Sequence, residues 1–132
     1  DMLAMGVCGS EDLAYAVVGT VVSTAVPGQA VLDTGSKALA KESFRSMGGG
    51  FGFVLEHPEV QVRSLSEEHG VLDLSRTDWA PEVGERVRVV PNHVCVSVNL
   101  QDRCLVDTGS GLEAWPIQAR GRTPWSPQST DA

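Results

Sequence analysis

Hydrophobic positions along the chain recur mostly with period two, in short runs broken by glycine, proline and aspartate, a pattern that predicts β-strands joined by turns rather than amphipathic helices. Ala16 to Val26 is dense in valine and threonine and reads as a strand, ended by the turn dipeptide Pro27-Gly28. A short strand is expected around Ala30 to Leu32, then the turn Asp33-Thr34-Gly35-Ser36 and one helical turn within Lys37 to Glu42. Phe44 to Gly52, with its run of glycines, reads as a flexible loop. From Val60 the alternation resumes, with Val60, Val62 and Ser64 opposed to Gln61, Arg63 and Leu65, before Glu67 to Gly70 turns into a strand at Val71 to Leu74. Pro81 to Glu85 is a turn, and Val87 and Val89 alternate with Arg86 and Arg88 up to Pro91.

The sharpest alternation follows, in the stretch Pro91 to Leu100, PNHVCVSVNL. A strand there puts Val94, Val96 and Val98 on one face and His93, Cys95, Ser97 and Asn99 on the other. Arg103 to Val106, a turn at Asp107 to Gly111 and a last strand near Glu113 to Ala119 complete the set. Such strands, without βαβ spacing or a solenoid repeat, specify an all-β fold, a compact antiparallel β-barrel or sandwich. Residues 1–15 are expected to be an N-terminal connector with a cap or turn at Ser10-Glu11-Asp12, residues 16–120 the β domain, and residues 121–132 a disordered tail.

Composition narrows the range of functions. A chain of 132 residues suits one domain with a core rather than two. The net charge of −7, with Lys37 and Lys41 as the only lysines, argues against nucleic acid as a partner. No apolar run approaches the ~20 residues a membrane helix requires. Cys8, Cys95 and Cys104 are an odd number without disulfide-framework spacing, which points to a reducing, cytoplasmic compartment. The opening DMLAMGVCGSEDL lacks the basic and apolar regions of a signal peptide, and with Asp1 in first place the chain is expected to begin inside a longer polypeptide.

Candidate chemistry concentrates on PNHVCVSVNL. His93 and Cys95 are the residue types that most readily bind zinc or another borderline-soft metal, and at i, i+2 on a strand they point the same way. No CxxC or HxxxH partner lies nearby, so such a site is open rather than closed and structural. The ordinary alternative, with Cys95 a small buried hydrophobe and His93 a hydrogen-bonded surface residue, stays open on spacing alone. Glu67, Glu68 and His69 form a second polar cluster, in which His69 is a further ligand, a proton-transfer group or part of a solvated hairpin turn. Asp-Thr-Gly-Ser occurs twice, at Asp33 and at Asp107, as in aspartic proteases, but it is also common turn chemistry and neither copy has a bracing apolar partner motif. Lys37 and Lys41 lie in a polar stretch and look exposed, unlike the desolvated lysine of a Schiff-base site. The glycine loop lacks the Lys-Ser/Thr of a phosphate cradle.

Together with SLSEEHGVLDL (Ser64 to Leu74), VGERVRVVPNH (Val83 to His93), LDTGSKALAKE (Leu32 to Glu42) and WPIQARGR (Trp115 to Arg122), this stretch resembles the C-terminal β domain of the D-serine dehydratase and D-threonine aldolase family. These are pyridoxal-phosphate enzymes similar in plan to alanine racemase. The resemblance runs from about Ala16 to Arg122 and implies that His93 and Cys95 are the family's His-x-Cys metal pair, with zinc or another divalent metal such as manganese. The Cys favours the dehydratase branch, since the aldolase branch tends to have Asp there. His69 is implied to lie near the active-site mouth, as a catalytic candidate, and the first Asp-Thr-Gly-Ser to be a family turn, which leaves little of the protease reading.

The barrel that binds pyridoxal phosphate, and the cofactor lysine, are not in these residues. The resemblance therefore implies a metal-carrying domain that meets its barrel in cis or in trans, in an enzyme that is a homodimer when complete. The isolated chain is expected to be inactive towards D-serine, which a dehydratase turns into pyruvate and ammonia, and towards D-threonine, which an aldolase splits into glycine and acetaldehyde. A catalytically silent, stand-alone β interaction module is the alternative from another class.

Overall fold

The computed structural model describes residues 2–3, 5–43, 49–118 and 120. Six strands close an antiparallel barrel: β1 (Val17–Ser23), β2 (Gln29–Leu32), β3 (Gly52–Val54), β4 (His57–Leu65), β5 (Gly70–Asp73) and β6 (Arg86–Pro91), in the order β1-β2-β5-β4-β3-β6. A 3-10 turn at Ser10–Asp12 precedes them, and helical turn α1 (Ser36–Leu39) follows β2. The all-β, antiparallel architecture expected from the alternation is the one observed. No helix among the described residues is long and apolar enough to cross a membrane.

Alternation decides which side chains fill the barrel. Val21, Leu32, Val54, Val60, Val62, Leu72 and Val89 are wholly buried and form one cluster with Ala30, Leu39, Leu65 and Val87, while Arg86 and Arg88 project outward. Strand β3 was not anticipated, because its three residues are too few to show a period. It exists because Gly52 pairs with Pro91 at φ 145°, and a Cβ there would lie 2.5 Å from the Val90 carbonyl oxygen.

The larger departure is PNHVCVSVNL. After Pro91 the chain leaves the sheet, and Val94–Asn99 is a short helix, α2. Strand β6 pairs with β1 only as far as Val89, opposite Val17, and with β3 only as far as Pro91, opposite Gly52. An extended continuation would leave its backbone polar groups without partners on both sides, whereas a helix satisfies them internally. The β preference of valine gives way to that constraint. Val94 and Val96 are exposed, and the buried residue of the helix is Ser97.

Residues 1–97 form one compact unit and residues 98–132 another. The second contains the hairpin β7 (Arg103–Asp107) and β8 (Leu112–Pro116), paired from Arg103 opposite Pro116 to Asp107 opposite Leu112. Its turn is closed by the Asp107 carboxylate, which accepts the Gly109 N–H at 2.9 Å. The expected tail 121–132, the end of the last expected strand at Ala119, and residues 44–48 of the expected loop lie outside the described residues.

The other Asp-Thr-Gly-Ser bends from β2 into α1, which Ser36 opens. The Asp33 carboxylate accepts the Thr20 N–H at 2.7 Å, and that bond holds its carboxyl below the ordinary value of 3.8. Asp107 thus braces its own turn, while Asp33 ties the segment after β2 to β1. The unfolded Asp33 carboxyl titrates at the ordinary value and the folded one lower, so its stabilisation is complete above the unfolded value and disappears as pH falls through the folded one. Asp33→Asn is therefore expected to lose less stability than wild type between about pH 5 and pH 2, read from urea midpoints. Leu72, between Ala30 and Val62 in register and wholly buried, sets the scale of the core. Leu72→Ala should cost about 2–5 kcal/mol in the same measurement at neutral pH.

Candidate functional site

α1 is the piece around which the candidate residues collect. On its N-terminal side, the Ser36 and Lys37 N–H groups donate to the Ser66 and Glu67 carbonyls of the β4–β5 turn, at 2.9 and 3.1 Å. Gly35 allows that approach, since a Cβ there would meet the Glu67 carbonyl oxygen at 2.3 Å. The Lys37 ammonium lies 2.6 Å from the Glu68 carboxylate and 3.4 Å from that of Glu67. Its hydrogen bond to Glu68 raises the lysine pKa, the opposite of what a nucleophilic lysine needs.

The same turn carries His69, whose N–H donates to Ser66 Oγ at 3.0 Å and whose carbonyl accepts the Ser66 N–H at 2.9 Å. The residue is exposed. The other described histidine outside the candidate pair, His57, stacks on Trp79 with ring centroids 4.4 Å apart and serves the fold.

On its C-terminal side, α1 ends at Ala40, which is held at φ 65°, ψ 165°, a conformation an L-residue keeps only when its surroundings impose it. Two contacts do so near by. The wholly buried Ser97 of α2 donates its Oγ hydrogen to the Ala38 carbonyl and, its hydrogen being used, accepts that of the Tyr15 hydroxyl at 3.0 Å. The Asn92 amide donates to the Glu42 carbonyl at 3.0 Å and to the Gly50 carbonyl at 2.9 Å, joining the two ends of the segment between α1 and β3.

His93 follows Asn92 directly, and its Nδ1 pairs with Glu42 Oε2. Cys95 lies in the first turn of α2 with an exposed, free thiol. Both line a cleft of about 550 Å³ with Tyr15, Phe53, Val90 and Cys8. His93 and Cys95 thus share one cleft, on a loop and a helical turn rather than on one face of a strand; His69 does not line it.

The donor set fits a metal in part. The imidazole, with Nδ1 engaged by a carboxylate, keeps Nε2 for an ion, and a thiol stands two residues on. Among the described residues no group of three or more His, Cys, Asp or Glu side chains comes together that could hold an ion. The residues present thus supply an imidazole and a thiol, and fit an open site better than a closed, four-ligand one. Glu42 is the member that spacing could not reveal: it lies far from His93 in sequence, at the end of a stretch expected to be a helical turn.

Residues 14–106 match the family model described as "Putative serine dehydratase domain". An uncharacterized protein of Mycobacterium tuberculosis is 35% identical over 125 residues, covering 91% of this chain and 93% of that protein. The D-threonine aldolase of an Arthrobacter species is 32% identical over 106 residues, covering 80% of this chain and 26% of the enzyme. The solved D-threo-3-hydroxyaspartate dehydratase from a Delftia species superposes with a TM-score of 0.71 at 28% identity, over 87% of this chain and 35% of that one. Variants of a dehydratase of that name have also been solved, with alanine replacing a histidine or a cysteine two positions apart, the cysteine variant in a metal-free form. The chain therefore spans nearly all of the mycobacterial relative but only about a third or less of the enzymes.

The buried Ser97 contact offers a direct check on how the cleft is built. Ser97→Ala leaves the Ala38 carbonyl and the Tyr15 hydroxyl without their partner and should destabilise the chain by about 1–3 kcal/mol. Hydrogen exchange should rise first at Ala40 to Glu42 and at Tyr15, while amides of β4 and β5 keep their protection.

Proposed function

The chain belongs to the serine dehydratase domain family, and from that premise we propose that it is the metal-carrying β domain of a pyridoxal-phosphate-dependent lyase acting on D-β-hydroxy amino acids. One observation carries the reading: His93 and Cys95 share a cleft at the end of β6, with the imidazole Nδ1 engaged by Glu42. Its support is the dehydratase whose variants replace a histidine and a cysteine at the same spacing, the cysteine variant being metal-free.

In this reading His93 Nε2 and Cys95 Sγ hold a zinc or manganese ion, and residues outside the chain complete the coordination. The ion supplies Lewis acidity at the substrate β-hydroxyl, and pyridoxal phosphate, held by an N-terminal barrel in cis or in trans, supplies electron withdrawal at the α-carbon. The rest of the contribution belongs to this chain. Asn92 and the α1 turn fix the loop that presents His93, the apolar cleft walls restrict water, and His69 is the candidate proton-transfer group at the active-site mouth. Neither Lys37 nor Lys41 is placed to bind the cofactor, both being exposed. Cys95 favours a dehydratase, D-serine to pyruvate and ammonia, over an aldolase splitting D-threonine to glycine and acetaldehyde. The complete enzyme is a homodimer, and the three free cysteines suit the cytoplasm.

A stand-alone domain that catalyses nothing is the second reading, favoured by the mycobacterial relative, 93% of which is matched. Metal analysis of the purified chain tests the first. After equilibration with zinc and removal of excess, wild type should retain the metal while His93→Ala and Cys95→Ala do not, and cobalt should give a thiolate charge-transfer band that Cys95→Ala abolishes. Wild type without metal at neutral pH, or unchanged metal in both variants, would sink the metal reading. The chain alone should turn over neither D-serine nor D-threonine.

A further inference from the structure

We infer that Glu42 is the positioning residue for His93, its carboxylate holding the imidazole as the Nδ1–H tautomer and so leaving the Nε2 lone pair as the ring's ligand atom. The inference rests on the reading of His93 as a metal ligand. Glu42 Oε2 is the partner of His93 Nδ1, and a carboxylate accepts but does not donate, so the neutral imidazole carries its proton on Nδ1. Carboxylate and imidazole are aligned from one place in the chain: Asn92, the residue before His93, donates to the Glu42 carbonyl at 3.0 Å. From the other direction the Glu42 loop is set by Ala40 at φ 65° and by the Ser97 hydroxyl on the Ala38 carbonyl.

Stability does not account for this arrangement. The side chains of His93 and Glu42 are 32% and 44% exposed, and a pair so open to water adds little to folding. A strained residue and an asparagine donating to two carbonyls are unusual supports for such a pair, and they make sense if the ring's orientation is what matters. Glu42 is turned to the ring itself, its Oε2 being the partner of His93 Nδ1. It acts through His93, as a carboxylate behind a metal-bound imidazole does, fixing its orientation and raising its basicity.

Long-range 1H–15N correlation spectra of the metal-free, 15N-labelled chain at about pH 8, where an ordinary imidazole is neutral, read the tautomer directly. His93 should be Nδ1-protonated in wild type, shift towards the Nε2–H form in Glu42→Ala, and stay Nδ1-protonated in Glu42→Gln, whose amide oxygen still accepts. Zinc affinity, measured by competition with a chromophoric chelator, should fall about 10–100-fold in Glu42→Ala and less in Glu42→Gln. A predominantly Nε2–H ring in wild type, or an unchanged tautomer in Glu42→Ala, overturns the role of Glu42. Glu42→Ser provides a second truncation if the alanine variant does not fold. A wild type that binds no zinc refutes the ligand reading instead, and the tautomer comparison still decides whether Glu42 sets the ring.

Discussion

Closure of the barrel through β6 is the constraint from which the rest of the molecule follows. Strand β6 hydrogen-bonds to β1 on one side and β3 on the other, and both partners run out by Pro91. Up to that point the chain has sheet partners, and beyond it the backbone must satisfy itself, so it coils into α2. The change of conformation falls at Asn92 and His93, which puts an amide and an imidazole at the barrel's rim beside a cleft. Had β1 and β3 continued past Pro91, the valines of PNHVCVSVNL would have had strands to pair with, and no such rim would exist.

What the rim presents is organised by α1. Its first N–H groups are taken by the β4–β5 turn, a contact possible only because Gly35 lacks a side chain; its Ser36 carbonyl accepts the Ala40 N–H and its Ala38 carbonyl the Ser97 hydroxyl. The β4–β5 turn that carries His69 and the α2 segment that carries Ser97 are therefore attached to the two sides of one helical turn. Electrostatics agrees with this division. The Lys37 charge is spent on Glu67 and Glu68, while the Glu42 carboxylate is turned to His93.

Membership of the serine dehydratase domain family and the small share of the related enzymes that the chain spans are consistent with the donor count. An imidazole paired with a carboxylate and a thiol two residues on are the polar groups that the cleft brings together, fewer than the three that would hold an ion among the described residues. The nearly full-length match to the mycobacterial relative shows that the same stretch also makes up most of a whole protein. The contacts that join His93, Glu42, Asn92 and Ser97 all lie within residues 1–97.

Alternation by itself determined the all-β class, five of the six barrel strands and the buried valines and leucines, because a period of two sorts side chains between core and solvent whatever the strand order. Local composition also determined the turn at Asp107 to Ser110, where the aspartate accepts the N–H two residues on, whereas Asp33 turns out to accept the Thr20 N–H of β1. That His93 and Cys95 lie close together was legible from their spacing, but the strand expected to carry them is a loop and a helical turn. Three things needed the tertiary structure. Strand β3 is too short to show a period and exists only through its pairing with β4 and β6. The helix at Val94–Asn99 overrides the β preference of its valines because the pairing of β6 with β1 and β3 ends by Pro91. The Glu42–His93 pair joins residues far apart in sequence, and such a contact is set by how loops meet, which no local pattern encodes.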